Sequence, residues 1–150
     1  MGRMSREIKY RAWDNVKDRM YYAGEEDDVV FHFESNGIIA TDITEDEEEF
    51  RTLHHLKYMQ YTGLEDMNGN GIYEGDLDSD DYNNLSVICY IEKYGAYCAV
   101  PLELYLHEDY ENEVVYEHGY DCYFHNVTPK KYLNIVGNIY ENKELLDGGK

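Results

Sequence analysis

The sequence predicts a mainly β fold, a small barrel or roll of short strands with a β-rich N-terminal extension and one or two short helices. Three observations predict it. Runs of β-branched and aromatic residues recur along the chain, turn signals bearing Gly and Asn separate them, and the first ordered segment alternates with period two. Aromatic residues make up 15% of the chain, 17 of them tyrosine, so there is enough apolar and semi-apolar surface to offset the entropy of folding. A length of 150 residues holds one domain with a real core, or one domain with a substantial appendage.

The elements follow in order. In residues 6–14 (REIKYRAWD), Ile8, Tyr10 and Ala12 alternate with Lys9, Arg11 and Trp13, which reads as a strand. Asp14, Asn15 and Lys17-Asp18 supply turn chemistry before a β-prone run at 19–23, so the chain opens on a hairpin. Residues 29–33 (VVFHF) and 38–43 flank Asn36-Gly37 and form a second hairpin. Thr44-x-x-Glu47 has the form of a capping box, and Phe50, Leu53 and Leu56 at threefold spacing predict a short helix behind it. From Lys57 the β-prone residues return.

Residues 59–76 (MQYTGLEDMNGNGIYEGD) are the most informative stretch. Asp66-x-Asn68-x-Asn70-Gly71 satisfies the opening of an EF-hand loop, but position 12, which requires a bidentate glutamate, is Leu77. Asn68-Gly69 and Asn70-Gly71 read instead as sites tolerant of positive φ in a tight turn between strands. Beyond it, residues 72–77, 86–92, 96–100 and 132–140 read as further strands, Tyr94-Gly95 as a turn, and Gly137 as a bulge or bend in the last of them. Residues 142–146 predict one helical turn.

Three blocks, REIKYRAWD, MQYTGLEDMNGNGIYEGD and IVGNIYENKELL (residues 135–146), stand in the order of the three blocks of the YopX family of phage and prophage proteins, which the chain resembles. Together they span about a quarter of it. The Asn70-Gly71 pair departs from the family pattern, which usually carries one Asn-Gly here, and the stretches at 78–84 and 106–123 look individual to this protein. The resemblance implies a strongly bent SH3-like β-barrel over residues 56–150, with residues 1–55 as the β-rich extension and the whole a single compact unit. It implies no biochemical activity.

Charge limits the function. With 32 acidic and 13 basic residues the formal net charge is −19, the wrong sign for direct nucleic-acid binding, in which basic groups displace counterions from phosphates. The acids fall in runs at 25–28, 45–49, 76–81 and 108–113, which read as solvated loops. Spread evenly they give about one net charge per 400 Å², some fourfold sparser than duplex DNA, so imitation of DNA requires the runs to converge on one face.

The cysteines, Cys89, Cys98 and Cys122, are odd in number with no CxxC spacing, which fits a reducing cytoplasm. Cys122 with His118 and His125 lacks a fourth zinc ligand, and adjacent His54 and His55 point to opposite faces of a strand. Neither set is assigned a metal. No stretch approaches the roughly 20 apolar residues that span a bilayer, and residues 1–11 hold no signal-type apolar segment.

No nucleophile, phosphate-loop or metalloprotease motif occurs. No catalytic, cofactor-binding or metal residue is therefore assigned, and no cofactor. The first functional expectation is a non-catalytic protein-interaction module in a bacterial host cytoplasm, its partner a host or phage protein, with homo-oligomers an option at open barrel edges. The alternative is an acidic DNA mimic that inhibits a host DNA-binding enzyme. The third is a metal-dependent enzyme built on Glu74, Asp76 and Asp78, which alternate along one side of a strand.

Overall fold

The computed structural model describes residues 8–35, 37–44, 51–110, 112 and 124–147. The opening alternation forms the expected hairpin of β1 (Tyr10–Asp14) and β2 (Arg19–Tyr22), in antiparallel register Ala12↔Tyr21 and Asp14↔Arg19. Asp14 closes its turn by accepting the N–H groups of Val16 (2.9 Å) and Lys17 (3.1 Å). The second hairpin is β3 (Val29–Glu34) and β4 (Gly37–Asp42), and β5 (Arg51–Leu53) adds to the far edge of β4. β6 (Lys57–Glu65) returns along β1, pairing Tyr10↔Gln60 and Ala12↔Tyr58.

The contacts divide the chain into two units, Lys9–Gln60 on one side and Tyr61–Lys150 together with Ile8 on the other. The first is two layers, β2-β1-β6 facing β3-β4-β5. Period two places Ala12 and Tyr21 on the inner face of one layer and Val29, Phe31, Ala40 and Leu53 on that of the other, with Leu56 beside them.

In the second unit β6 continues against β7 (Gly71–Tyr73), with a bulge between Tyr61↔Tyr73 and Glu65↔Gly71 where Gly63 takes φ +87°. β8 (Asp76–Ser79), β9 (Leu85–Ile91), β10 (Ala96–Pro101) and β11 (Ile135–Asn138) form an antiparallel sheet of order β10-β9-β8-β11, curled into half a barrel. Both faces of this sheet are buried, which explains the unbroken apolar run in β9. On one face Leu77, Val87, Cys89, Ile91, Cys98 and Val100 pack under Leu102 and Leu104 of α1 (Leu102–Tyr105). On the other, Ile88 meets Ile72, Phe124 of α2 (Phe124–Val127) and Leu133, which follows α3 (Pro129–Tyr132). The expected C-terminal helical turn is α4 (Lys143–Leu146).

Three local expectations are corrected. The helix expected around 44–56 is not formed at its C-terminal part: Leu53 lies in β5, paired with Ala40. The Thr44 hydroxyl is spent as a donor to Asp42 Oδ1 rather than left to cap a helix; residues 45–50 lie outside the described set. Residues 72–77 are two strands, broken by a turn at Glu74 and Gly75 (φ +84°) in which Asp76 Oδ2 accepts the Tyr73 N–H at 2.8 Å. The run 132–140 is strand only at 135–138, because Tyr132 closes α3 and a turn begins at Ile139. The bulge at Gly137 is present, in the register shift between Ile135 and Gly137 against β8, and a Cβ there would collide with Asn142 Oδ1, which accepts the Asn138 N–H.

The hairpins β6–β7 and β8–β9 are joined by the same five-residue loop, 66–70 (DMNGN) and 80–84 (DDYNN), between closing pairs Glu65↔Gly71 and Ser79↔Leu85. In each, one carboxylate oxygen of the leading Asp accepts the N–H of the third and fifth residues, at 2.9 and 2.8 Å from Asp66 and 2.8 and 2.8 Å from Asp80. The other carboxylate oxygen accepts the fifth residue's side-chain amide, from Asn70 or Asn84. The leading N–H donates to the fifth carbonyl and the fourth N–H to the leading carbonyl. The fourth residue is left-handed in both, Gly69 at +83° and Asn83 at +64°. Asn70-Gly71 thus lacks the expected positive φ; at Gly71 the constraint is space, since a Cβ would lie 3.0 Å from the Tyr61 ring.

Candidate functional site

The carboxylates singled out in the sequence serve the fold. Asp76 and Asp78 are both buried in β8, while Glu74 stands in the preceding turn, so the three do not share a strand face. Asp78 lies within β8 rather than opening a loop, and its Oδ1 accepts the Asn134 N–H at 2.7 Å. Burial raises the Asp78 pKa, the Asn134 bond opposes this, and the charges of Asp80 and Asp66 add to the rise. Asp66, fully buried, goes the other way: burial would raise its pKa, but N–H groups from Ile135, Asn70 and Asn68 outweigh burial and lower it. The D-x-N-x-N-G spacing is therefore that of a loop whose leading carboxylate is saturated by N–H donors. Among the described residues no three His, Cys, Asp or Glu side chains are grouped to hold a metal. Cys122 and His118, and the side chain of His125, lie outside the described residues.

The acidic runs are also partly neutralised. Arg19 makes a bidentate pair with Asp28 (2.9 and 3.0 Å), reaches Glu26 at 2.7 Å and lies 4.4 Å from the Tyr21 ring centroid. Glu26 also accepts the Tyr22 N–H. Asp80 is engaged within its own loop, and Asp109 accepts the Asn112 amide.

A polar cluster invisible in the sequence joins residues 41 positions apart. Asp14, 1% exposed, accepts from His55 Nε2 at 2.7 Å and from the Tyr21 hydroxyl at 2.9 Å, in addition to the two turn N–H groups. Burial alone would raise its pKa; the bonds from His55, Lys17, Tyr21 and Val16 hold it at about 2. The Tyr21 hydroxyl is pushed up, by burial first and by Asp14 second. An ionised Asp14 that fixes a half-exposed His55 is an orienting arrangement.

The second feature missed in the sequence is aromatic. Tyr10 from β1, Phe31 and Phe33 from β3, and Tyr58 from β6 meet at one end of the two layers. Tyr10 stands edge-on to Phe31 (5.7 Å between centroids) and to Phe33 (5.4 Å), and Tyr58 lies 6.3 Å from Tyr10 and from Phe31. The cluster is not covered: Phe33 is 65% exposed and Tyr58 36%. Alternation could have placed each ring on an inner face, but only the pairing of β1 with β6 and the stacking of the layers brings the four together.

Two small antiparallel β units, one a two-layered sandwich with an open aromatic end and the other a curled half-barrel closed by one-turn helices, define the class. The chain matches the family described as YopX protein over residues 9–147, and it belongs to that family. Among solved structures it is similar to protein EF1440 from Enterococcus faecalis, at 25% identity and a TM-score of 0.47 over 95% of this chain and 99% of that one. It is similar also to protein yopX from Bacillus subtilis, at 14% identity and a TM-score of 0.49 over 91% of this chain and 96% of that one. No curated protein matches its sequence. No helix among the described residues is long and apolar enough to cross a membrane.

Proposed function

We propose that the protein is a non-catalytic interaction module, acting in a bacterial host cytoplasm, and that the aromatic end of the Lys9–Gln60 unit is its contact surface for a host or phage protein. The observation that carries this reading is Phe33, a large apolar side chain 65% exposed while edge-packed on Tyr10, with Tyr58 open beside it. Aromatic side chains held by neighbours present broad contact area at small entropic cost, which is how interface anchors work. The DNA-mimic reading gains less support, because Glu26, Asp28 and Asp80 of the acidic runs are engaged with Arg19 or with loop N–H groups. The metal-enzyme reading gains less too, because Asp76 and Asp78 are buried acceptors.

Site-specific photocrosslinking tests the proposal. A benzophenone side chain at position 33 is expected to capture a discrete partner in cells expressing the protein, and one at position 30, on the opposite face of β3, is expected not to. Equal capture from both positions refutes the assignment of the surface.

A further inference from the structure

The 66–70 loop holds a piece of chain. Ile135 N–H donates to Asp66 Oδ2 at 2.9 Å, Met67 N–H donates to the Leu133 carbonyl at 2.9 Å, and Asn68 Nδ2 donates to Asn134 Oδ1 at 2.8 Å. The held segment enters extended, with Leu133 at φ −88° and ψ 138°. What the loop reads is mainly backbone, one N–H, one carbonyl and a single side-chain contact between them, while β8 holds the backbone of Asn134 through Asp78 Oδ1 and the Ser79 N–H.

The 80–84 loop repeats the same internal bonds and the same left-handed fourth residue. In it the residues that carry the corresponding groups, Asp80, Asp81 and Tyr82, are all exposed, Tyr82 at 85%. Among the described residues no group from outside this loop bonds to those three.

We infer that the β8–β9 loop is a second docking site, which takes an extended segment of a partner protein as the β6–β7 loop takes residues 133–135. A partner N–H is received by Asp80 Oδ2, and a partner carbonyl two residues earlier accepts the Asp81 N–H. The loop's own bonds hold these groups in place before binding, so little ordering cost falls on the encounter. The side-chain preference differs from that of the first loop. Where that loop has Asn68 bonded to an amide, this one has an exposed carboxylate and an exposed aromatic ring, Asp81 and Tyr82, a pairing that suits Lys or Arg. A net charge of −19 steers the same class of segment toward the protein. This inference stands apart from the aromatic surface of the other unit and does not depend on it.

The probe is a peptide with the sequence of residues 129–138 (PKKYLNIVGN), the stretch that includes the segment the first loop holds, titrated in trans against the 15N-labelled full chain. Saturable amide shifts centred on residues 80–84, with Asp81 the largest, are expected. Asp80→Asn keeps one oxygen for the loop N–H groups but replaces the other with a donor, and is expected to weaken binding by about fivefold, one hydrogen bond's worth. A peptide carrying Asn134→Arg at the central position is expected to bind more tightly than the parent. No shift at 80–84 up to millimolar peptide, shifts unchanged by Asp80→Asn, or shifts centred on 66–70 as the peptide displaces the chain's own segment would each overturn the inference.

Discussion

Asp66 and Asp78 are two buried carboxylates that receive N–H bonds from adjacent residues, Ile135 and Asn134, yet only the first is expected to lose stability on isosteric amide substitution. Asp66 uses both oxygens: Oδ1 accepts Asn68 and Asn70 N–H, and Oδ2 accepts Ile135 N–H and the Asn70 amide. In Asp66→Asn one of these positions becomes an NH2 that faces two donors, whichever way the amide is turned. Loss of charge-assisted bonds and stranding of buried donors costs about 2–4 kcal/mol. Asp78 uses one bond, from Asn134, and an amide oxygen can keep it while a buried negative charge near Asp66 and Asp80 disappears. Asp78→Asn is therefore neutral or stabilising by up to about 1 kcal/mol at pH 7.

The pH dependence carries the same contrast. The lowered pKa of Asp66 gives stability that is present above the ordinary carboxylate range and lost as pH falls through its folded value. The raised pKa of Asp78 is a penalty at neutral pH, relieved as pH falls through its folded value toward the ordinary range. Urea unfolding followed by circular dichroism at pH 7, and in steps down through the ordinary carboxylate range, measures both. Equal destabilisation by the two substitutions would refute the reasoning, since burial alone would then govern and hydrogen-bond count would not.

Three further outcomes are expected. Asn83→Gly removes an L residue from φ +64° where no side-chain bond holds it, and raises stability by about 0.5–1 kcal/mol in the same urea assay. Gly137→Ala displaces Asn142 from its bond to the Asn138 N–H and costs about 1–2 kcal/mol; since that bond is what the new methyl removes, the double variant with Asn142→Ala costs little more than Asn142→Ala alone, read as a double-mutant cycle. Tyr21→Phe strips a hydroxyl donor from buried Asp14 and costs about 1–2 kcal/mol at pH 7, with a smaller cost at pH 2, near the Asp14 pKa of about 2, where part of the carboxylate is protonated.

The strands β1 to β4, β9 and β10 were legible because β-branched and aromatic runs lay between turn residues whose chemistry is local. The bulge at Gly137 was legible from a glycine inside such a run. Helices of four residues carry no period to read, since one turn lies below the length at which helical propensity shows, and α1 to α3 form only because Leu102, Leu104 and Phe124 find a sheet to cover. Threefold spacing of Phe50, Leu53 and Leu56 suggested a helix where Leu53 in fact enters a strand and Leu56 a loop, both reaching one core. The twin loops were written in the chain as DMNGN and DDYNN, but the Gly that marks the first as a turn is Asn83 in the second. Asp14 with His55, and Tyr10 with Phe33 and Tyr58, depend on pairings between distant strands that no local pattern encodes.

The central claim is that the exposed rings bind a protein, and a comparative retention experiment tests it most directly. Wild type and a Phe33→Ser, Tyr58→Ser variant are immobilised, exposed to lysate of phage-infected host cells and washed at moderate salt, and retained proteins are quantified by mass spectrometry. Because Phe33 is mostly exposed and Tyr58 lies at the partly exposed edge of the cluster, the variant is expected to keep the wild-type circular dichroism spectrum. The account predicts at least one protein retained by wild type and depleted about tenfold or more on the variant, as loss of a hot-spot anchor implies. An identical retained set on both, with the variant folded, would contradict it.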